Sequence, residues 1–319
     1  MGARKLMLGR TANGLYWMYR YLERAENTAR LIATGQRIAL TRLHGGDDEW
    51  RSILQTAAVL EGYDQRHSEL TKASAINWLL RSEDNPSSIY ACLMAARQNA
   101  RMVRTALTGE VWEAVNATYM HCKATLKRRL PERDIPTALA SIRQRTALVR
   151  GMTHGTMLRN EIFDFARIGT FLERADNTAR ILDVKYYVLL PSVTAVGSSI
   201  DNVQWETILR SVSARGGFMM EYGNSFSASD IANFLLLDNR MPRSLAFCTS
   251  KISDNLHYLT ANYPISPPSC EQIESIQQTH LRNHISEIFE SGLHEFLQEY
   301  IALLGALGRQ IEIDFRFYE

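Results

Sequence analysis

"YLERAENTAR" at residues 21–30 returns as "FLERADNTAR" at residues 171–180, with eight of ten positions identical. The two differences, Tyr21/Phe171 and Glu26/Asp176, keep the character of the side chain. Because the phrase mixes acid, base, amide, hydroxyl and apolar residues, compositional bias does not account for it. A duplicated unit does, and further pairs should then follow in the same order. They do. "EWRSILQ" at 49–55 matches "QWETILR" at 204–210, pairing Trp50 with Trp205. "NWLLRSEDNPSSIYAC" at 77–92 matches "NFLLLDNRMPRSLAFC" at 233–248, pairing Pro86 with Pro242, Ser88 with Ser244 and Cys92 with Cys248. The offset grows from 150 to 155 to 156, as small loop insertions would make it. The first insertion belongs where "HGGDDE" at 44–49 is replaced by the longer, turn-rich "PSVTAVGSSIDN" at 191–202.

Stretches 12–43, 89–130, 137–188 and 280–313 contain no proline, are rich in Ala, Leu, Arg and Glu, and lack the alternating runs of a sheet protein. Pro131, Pro136 and "NYPISPPSCE" at 262–271 punctuate them. The expected fold is therefore all-α: a helical bundle of two duplicated half-bundles, residues 1–133 and 134–319, packed as one domain with pseudo-two-fold symmetry. Trp50 and Trp205 are its expected core anchors.

Composition restricts the function classes. With 45% hydrophobic and 22% charged residues and a net charge of +2, the 319-residue chain reads as globular, with no global electrostatic attraction to nucleic acid. No stretch approaches the roughly 18 apolar residues of a membrane span. "MGARKLMLGR" has no apolar run of leader length, and Leu6 replaces the Ser or Thr of a myristoylation signal, so the expected location is cytoplasmic. Cys92, Cys122, Cys248 and Cys270 lack C-x-x-C spacing, which favours free thiols, with Cys92 and Cys248 in the core.

At 100° per residue, Glu23, Glu26, Asn27 and Arg30 share one helix face, opposite Tyr21, Leu22, Ala25, Ala29 and Ile32. The second copy sets Glu173, Asp176, Asn177 and Arg180 against Phe171, Leu172, Ala175, Ala179 and Leu182, with Arg24 and Arg174 at the flanks. Three readings stay open: a solvated face with i,i+4 pairs, a buried polar network between the copies, or a ligand or catalytic site. Equal roles are expected for Arg30 and Arg180, each worth more than about 1.5 kcal/mol. A metal is not expected: di-metal bundles use Glu-x-x-His, His is absent from both copies, and four carboxylates are balanced by four arginines. Guanidiniums suit a carboxylate or phosphate group better. No cofactor motif or nucleophile motif stands out, and His280 and His284 lack metal-site context. The basic stretch Arg97–Arg129 suits an acidic partner, for which the acidic segment 285–319 is a candidate within the chain.

The two "LERA-[ED]-NTAR" phrases, "LGRTANGLYWMYRYLERAENTARL" at 8–31 and "FLLLDNRMPRSLAFC" together resemble the bacterial alpha-E family, a helical domain named for its Glu-Arg motif. The resemblance runs from about Met7 to about Leu304. It implies that Glu23–Arg24 and Glu173–Arg174 are the motif residues, with Arg10 and Arg159 as companions ahead of them. Members are encoded beside, or fused to, circularly permuted ATP-grasp peptide ligases and transglutaminase-like proteases. The resemblance thus implies a helical partner of such a ligase system, acting on a peptide or amino-acid substrate. Glu23 and Glu173 are the candidate catalytic groups should the chain be an enzyme by itself; a purely structural adaptor is the other alternative. The candidate ligand-binding set is Arg10, Arg24, Glu26, Asn27, Arg30, Arg159, Arg174, Asp176, Asn177 and Arg180.

Overall fold

The computed structural model describes residues 9–41, 47–188, 199–223, 226–261 and 266–318. The two turn segments that carry the expected insertion lie largely outside them. Among the described residues every regular element is helical. Two long helices, α1 (Gly9–Thr41) and α8 (Glu161–Val188), carry the repeated phrase and form the centre. They run parallel, since Tyr16 meets Gly169, Arg20 pairs with Glu173 and Glu23 pairs with Arg174. The crossing needs a glycine: a Cβ on Gly169 would lie 2.3 Å from the Tyr16 carbonyl oxygen, so backbone packs on backbone.

Helices α5 (Ile89–Met102) and α7 (Ile135–Thr156) pack on α1, while α12 (Leu245–Thr260) and α15 (Leu293–Asp314) pack on α8. An outer pair covers these, with α6 (Gly109–Leu126) on α5 and α7, and α13 (Pro268–His280) on α12 and α15. The division expected at 133/134 falls just ahead of α7, whose main partners are α6 and α1. Helices α2 (Asp47–Thr56) and α9 (Ser199–Ser211) lie across both central helices and bury Trp50 and Trp205. Shorter helices α3 (Leu60–Asp64), α4 (Lys72–Leu80), α10 (Arg215–Tyr222), α11 (Ala228–Leu236) and α14 (Ile285–Ser291) complete the bundle. The acidic segment 285–319 packs through α15 on α8 and α13 instead of on the basic stretch of α5 and α6.

Local chemistry fixes the starts of α5 and α12 in the same way. Ser88 Oγ accepts from Ala91 N at 3.2 Å and donates to the Ser82 carbonyl at 2.8 Å. Ser244 Oγ accepts from Phe247 N at 3.0 Å and donates to the Asp238 carbonyl at 2.6 Å. In each turn a proline carbonyl, of Pro86 or Pro242, accepts from the thiol of Cys92 or Cys248 six residues on. Each serine satisfies an otherwise orphaned helix N–H, and its hydroxyl hydrogen ties the preceding loop back. All four cysteines are buried and free, and burial pushes Cys92 and Cys248 up to about 12, which removes them as thiolate nucleophiles.

Candidate functional site

Both faces of α1 and α8 are covered by neighbouring helices, so the polar face of the motif is an interior feature. Glu23 is 2% exposed, Glu26 0% and Glu173 5%. Burying such charges is costly unless each is paired and fully hydrogen-bonded. Here they are. Arg174, across the interface, donates from Nε and Nη2 to the two oxygens of Glu23 at 2.9 and 3.0 Å. Arg24 reaches the other way and donates from Nε and Nη2 to the two oxygens of Glu173 at 2.5 and 2.9 Å. The two Glu-Arg dipeptides thus exchange partners, each arginine binding the other copy's glutamate as a planar fork. Arg20 adds a third donor to Glu173 at 3.0 Å and itself contacts the Tyr16 hydroxyl at 3.1 Å.

The Glu23 side is more heavily populated. Arg243, in the turn before α12, donates to Glu23 at 3.1 Å, to Glu26 at 3.0 Å and to the Asn27 side-chain oxygen at 3.2 Å. Glu26 also accepts from Arg30 at 2.7 Å, from Thr146 at 3.0 Å and from Arg150 of α7. On the other copy Asp176 pairs with Arg180 at 2.8 Å in a half-exposed position. The side-chain amide nitrogens of Asn27 and Asn177 are both buried without an acceptor. Arg10 and Arg159 are exposed. Arg159 donates to the backbone carbonyls of Met157 and His154 and stacks on Phe163, away from the motif carboxylates.

Electrostatics follow from this packing. Burial alone pushes the Glu23 carboxyl up, but Arg174, Arg243 and Arg150 outweigh it and hold it well below the usual carboxylate range. Burial likewise opposes ionisation of Glu173, and Arg24 and Arg20 prevail, leaving it at about 2. Arg243 is pushed down to about 10, first by burial, with Glu23 opposing and Arg174 and Arg30 adding to the effect. It stays charged at neutral pH. A carboxylate held this firmly is a poor base and carries no proton to donate near neutrality.

Among the described residues seven arginines therefore contact these four carboxylates: Arg20, Arg24, Arg30, Arg150, Arg174, Arg180 and Arg243 against Glu23, Glu26, Glu173 and Asp176. The neutral count expected from the two phrases is corrected to a positive excess. Arg20, Arg150, Arg243 and Thr146 escaped the sequence reading. Arg243 left a trace, since the aligned turns read "PRS" and "PSS" and place Arg243 opposite Ser87. Arg150 lies outside the matching blocks and left none. Among the described residues no group of His, Cys, Asp and Glu could hold a metal ion, and no helix is long and apolar enough to cross a membrane.

A family model named Alpha-E, described as a predicted alpha-helical domain with a conserved ER motif, matches residues 7–315. Uncharacterised proteins of Mycobacterium bovis and Mycobacterium tuberculosis are 25% identical over 325 residues, covering 95% of this chain and 36% of each relative. A further Mycobacterium tuberculosis protein is 24% identical over the same span. The chain thus spans about a third of the length of the curated relatives it matches. No solved structure matches.

Proposed function

Because this chain belongs to the Alpha-E family, we propose that it is the helical partner of an ATP-grasp-type peptide or amide ligase system. In this reading the exchanged Glu-Arg pairs lock α1 to α8 as a rigid spine. Arginines in excess of the carboxylates then hold a carboxylate or phosphate group of a peptide or amino-acid substrate, or dock the ligase itself. The observation that carries the reading is that positive excess, because guanidiniums beyond those the carboxylates neutralise favour an added carboxylate or phosphate group. The length of the relatives supports it too, since a helical unit joined to a larger remainder is what a partner domain would look like. A transglutaminase-like protease is a second proposed partner. Pseudo-two-fold packing of two duplicated units, 1–133 and 134–319, belongs to the same proposal and is supported by the exchange of partners between the two Glu-Arg pairs.

One observation favours a second reading, a structural adaptor: Glu23 and Glu173 have their oxygens occupied by guanidiniums. A stand-alone enzyme using either glutamate as acid or base draws no support from groups held so far below neutrality. The test is to co-express the chain with the ATP-grasp ligase of its own genome and measure association and substrate-dependent ATP hydrolysis. Association together with a several-fold rise in hydrolysis is expected. Absence of both would leave the adaptor reading.

A further inference from the structure

Helices α1, α7 and α8 enclose a cleft of about 240 Å³ into which Arg150, Arg167, Arg174 and His154 converge. No Asp or Glu lines it among the described residues. Arg174 and Arg150 are already anchored by Glu23 and Glu26, so their positions are set before any ligand arrives. Arg174 is itself 8% exposed. Arg167 is held differently. Among the described residues no carboxylate pairs with it; its guanidinium lies 4.7 Å from the Phe171 ring centre and 5.6 Å from that of Phe163, with His154 Nε2 3.5 Å away. Arg174 is the other partner of Phe171 and lies 5.1 Å from its ring centre. Arginine and phenylalanine thus alternate along this flank of α8, and the aromatic faces hold the guanidinium planes without consuming their N–H groups.

An imidazole placed here reports the local field. Burial first, and then Arg167, Arg159, Arg150 and Arg174, push His154 below its ordinary value. The cleft on the opposite side, between α1, α8 and α15, makes the contrast: about 340 Å³ in volume, it is lined by Arg20 and Arg309 together with Asp176 and Glu312, which supply negative charge of their own. In the α7–α8 cleft the carboxylates lie outside the lining, with Glu23 and Glu26 behind Arg174 and Arg150 and with Asp164 and Asp254 acting on Arg167 from the neighbouring cleft, and converging guanidiniums at fixed positions are what an oxyanion needs.

We propose that the cleft between α7 and α8 is a binding site for a small oxyanion, a phosphate or carboxylate group gripped by Arg150 and Arg167. This narrows the anion-holding part of the proposed function to one cleft, and it rests on that part alone, since no ligase enters its test.

The test is calorimetric titration of the full chain with inorganic phosphate and, separately, with glutamate at constant ionic strength. Saturable one-to-one binding of at least one probe is expected, weakened about tenfold or more by Arg167→Gln, which removes a two-donor contact to the anion. Gly151→Asp gives an independent check. Gly151 lines the cleft, and a Cβ there would meet nothing within 4 Å, so the substitution adds a carboxylate without removing a contact. It should abolish binding, while Arg309→Gln in the opposite cleft should leave it unchanged. Saturable phosphate binding assigns a phosphoryl ligand, and glutamate binding alone assigns a carboxylate. Non-saturable heats with both probes, or equal affinity in Gly151→Asp, would overturn the proposal.

Discussion

Glu23 and Glu173 are each buried and shared by two arginines, those on Glu23 buried and those on Glu173 half-buried, so deletion of either should cost more than a surface pair would. Glu23→Ala strands Arg174, 8% exposed, and leaves the buried Arg243 with Glu26 as its one carboxylate partner, and the expected loss in urea unfolding is about 3–5 kcal/mol. Arg180→Ala opens a pair whose side chains are 31% and 27% exposed, and its loss should stay below about 1 kcal/mol. Arg30→Ala should fall between, because its partner Glu26 is fully buried yet keeps Arg150 and Arg243. The two arginines that look equivalent in the repeated phrase are thus unequal, the difference lying in what the flanking helices supply. Acid titration gives a second measure. Glu173 has its folded value depressed to about 2 from an ordinary 4.5, so its contribution is present above the unfolded value and is lost as pH falls through the folded one. Unfolding free energy should therefore decline from about pH 5 toward pH 2, by a few kcal/mol from this group, with no change from it between about pH 6 and 8. Glu173→Gln should flatten that decline; an unchanged slope would assign acid sensitivity to other carboxylates.

At the level of single helices, the clearest constraint is the crossing of α1 and α8 at Gly169. Replacing a mid-helix glycine with alanine ordinarily stabilises by about 1 kcal/mol. Here the new methyl group would stand 2.3 Å from the backbone carbonyl oxygen of Tyr16 in α1, which has no rotamer to swing away. Net destabilisation by more than about 1 kcal/mol is expected for Gly169→Ala, read as a lower urea midpoint. Stabilisation would mean that the helices can slide apart. The caps of α5 and α12 behave more simply: Ser88→Ala and Ser244→Ala should each cost about 1 kcal/mol, additively, because the two sites share no hydrogen-bond partner. The aligned "NPSS" and "MPRS" turns pair the two serines, but their capping role is seen only in the fold. The Gly169 contact is likewise seen only there, because the copies place Tyr19 opposite Gly169 and nothing in either phrase tells which residue faces the other helix.

For the molecule as a whole, the exchanged pairs couple the two ends of the chain. Glu23 takes its donors from α8 and from the turn before α12, and Glu173 takes both of its donors from α1. Neither set of helices can unfold without stranding buried charges in the other, so one cooperative transition is expected, with calorimetric and van't Hoff enthalpies equal. Two resolved transitions would show that the interface between α1 and α8 is weaker than its ion pairs suggest.

The helical class, the buried tryptophans and the recurrence of the Glu-Arg phrase were readable from residue order, because periodicity and recurrence are one-dimensional properties. The partners of the Glu-Arg dipeptides were not. Helical spacing put Glu23 and Arg24 on defined faces, but parallel packing of α1 on α8 decided that each arginine serves the other copy's glutamate. Folding also brought Arg150 from α7 and Arg243 from a turn onto carboxylates more than a hundred residues away. Charge balance in a buried site is summed over neighbours in space, which is why the phrases count as neutral and the folded centre carries an excess of arginine.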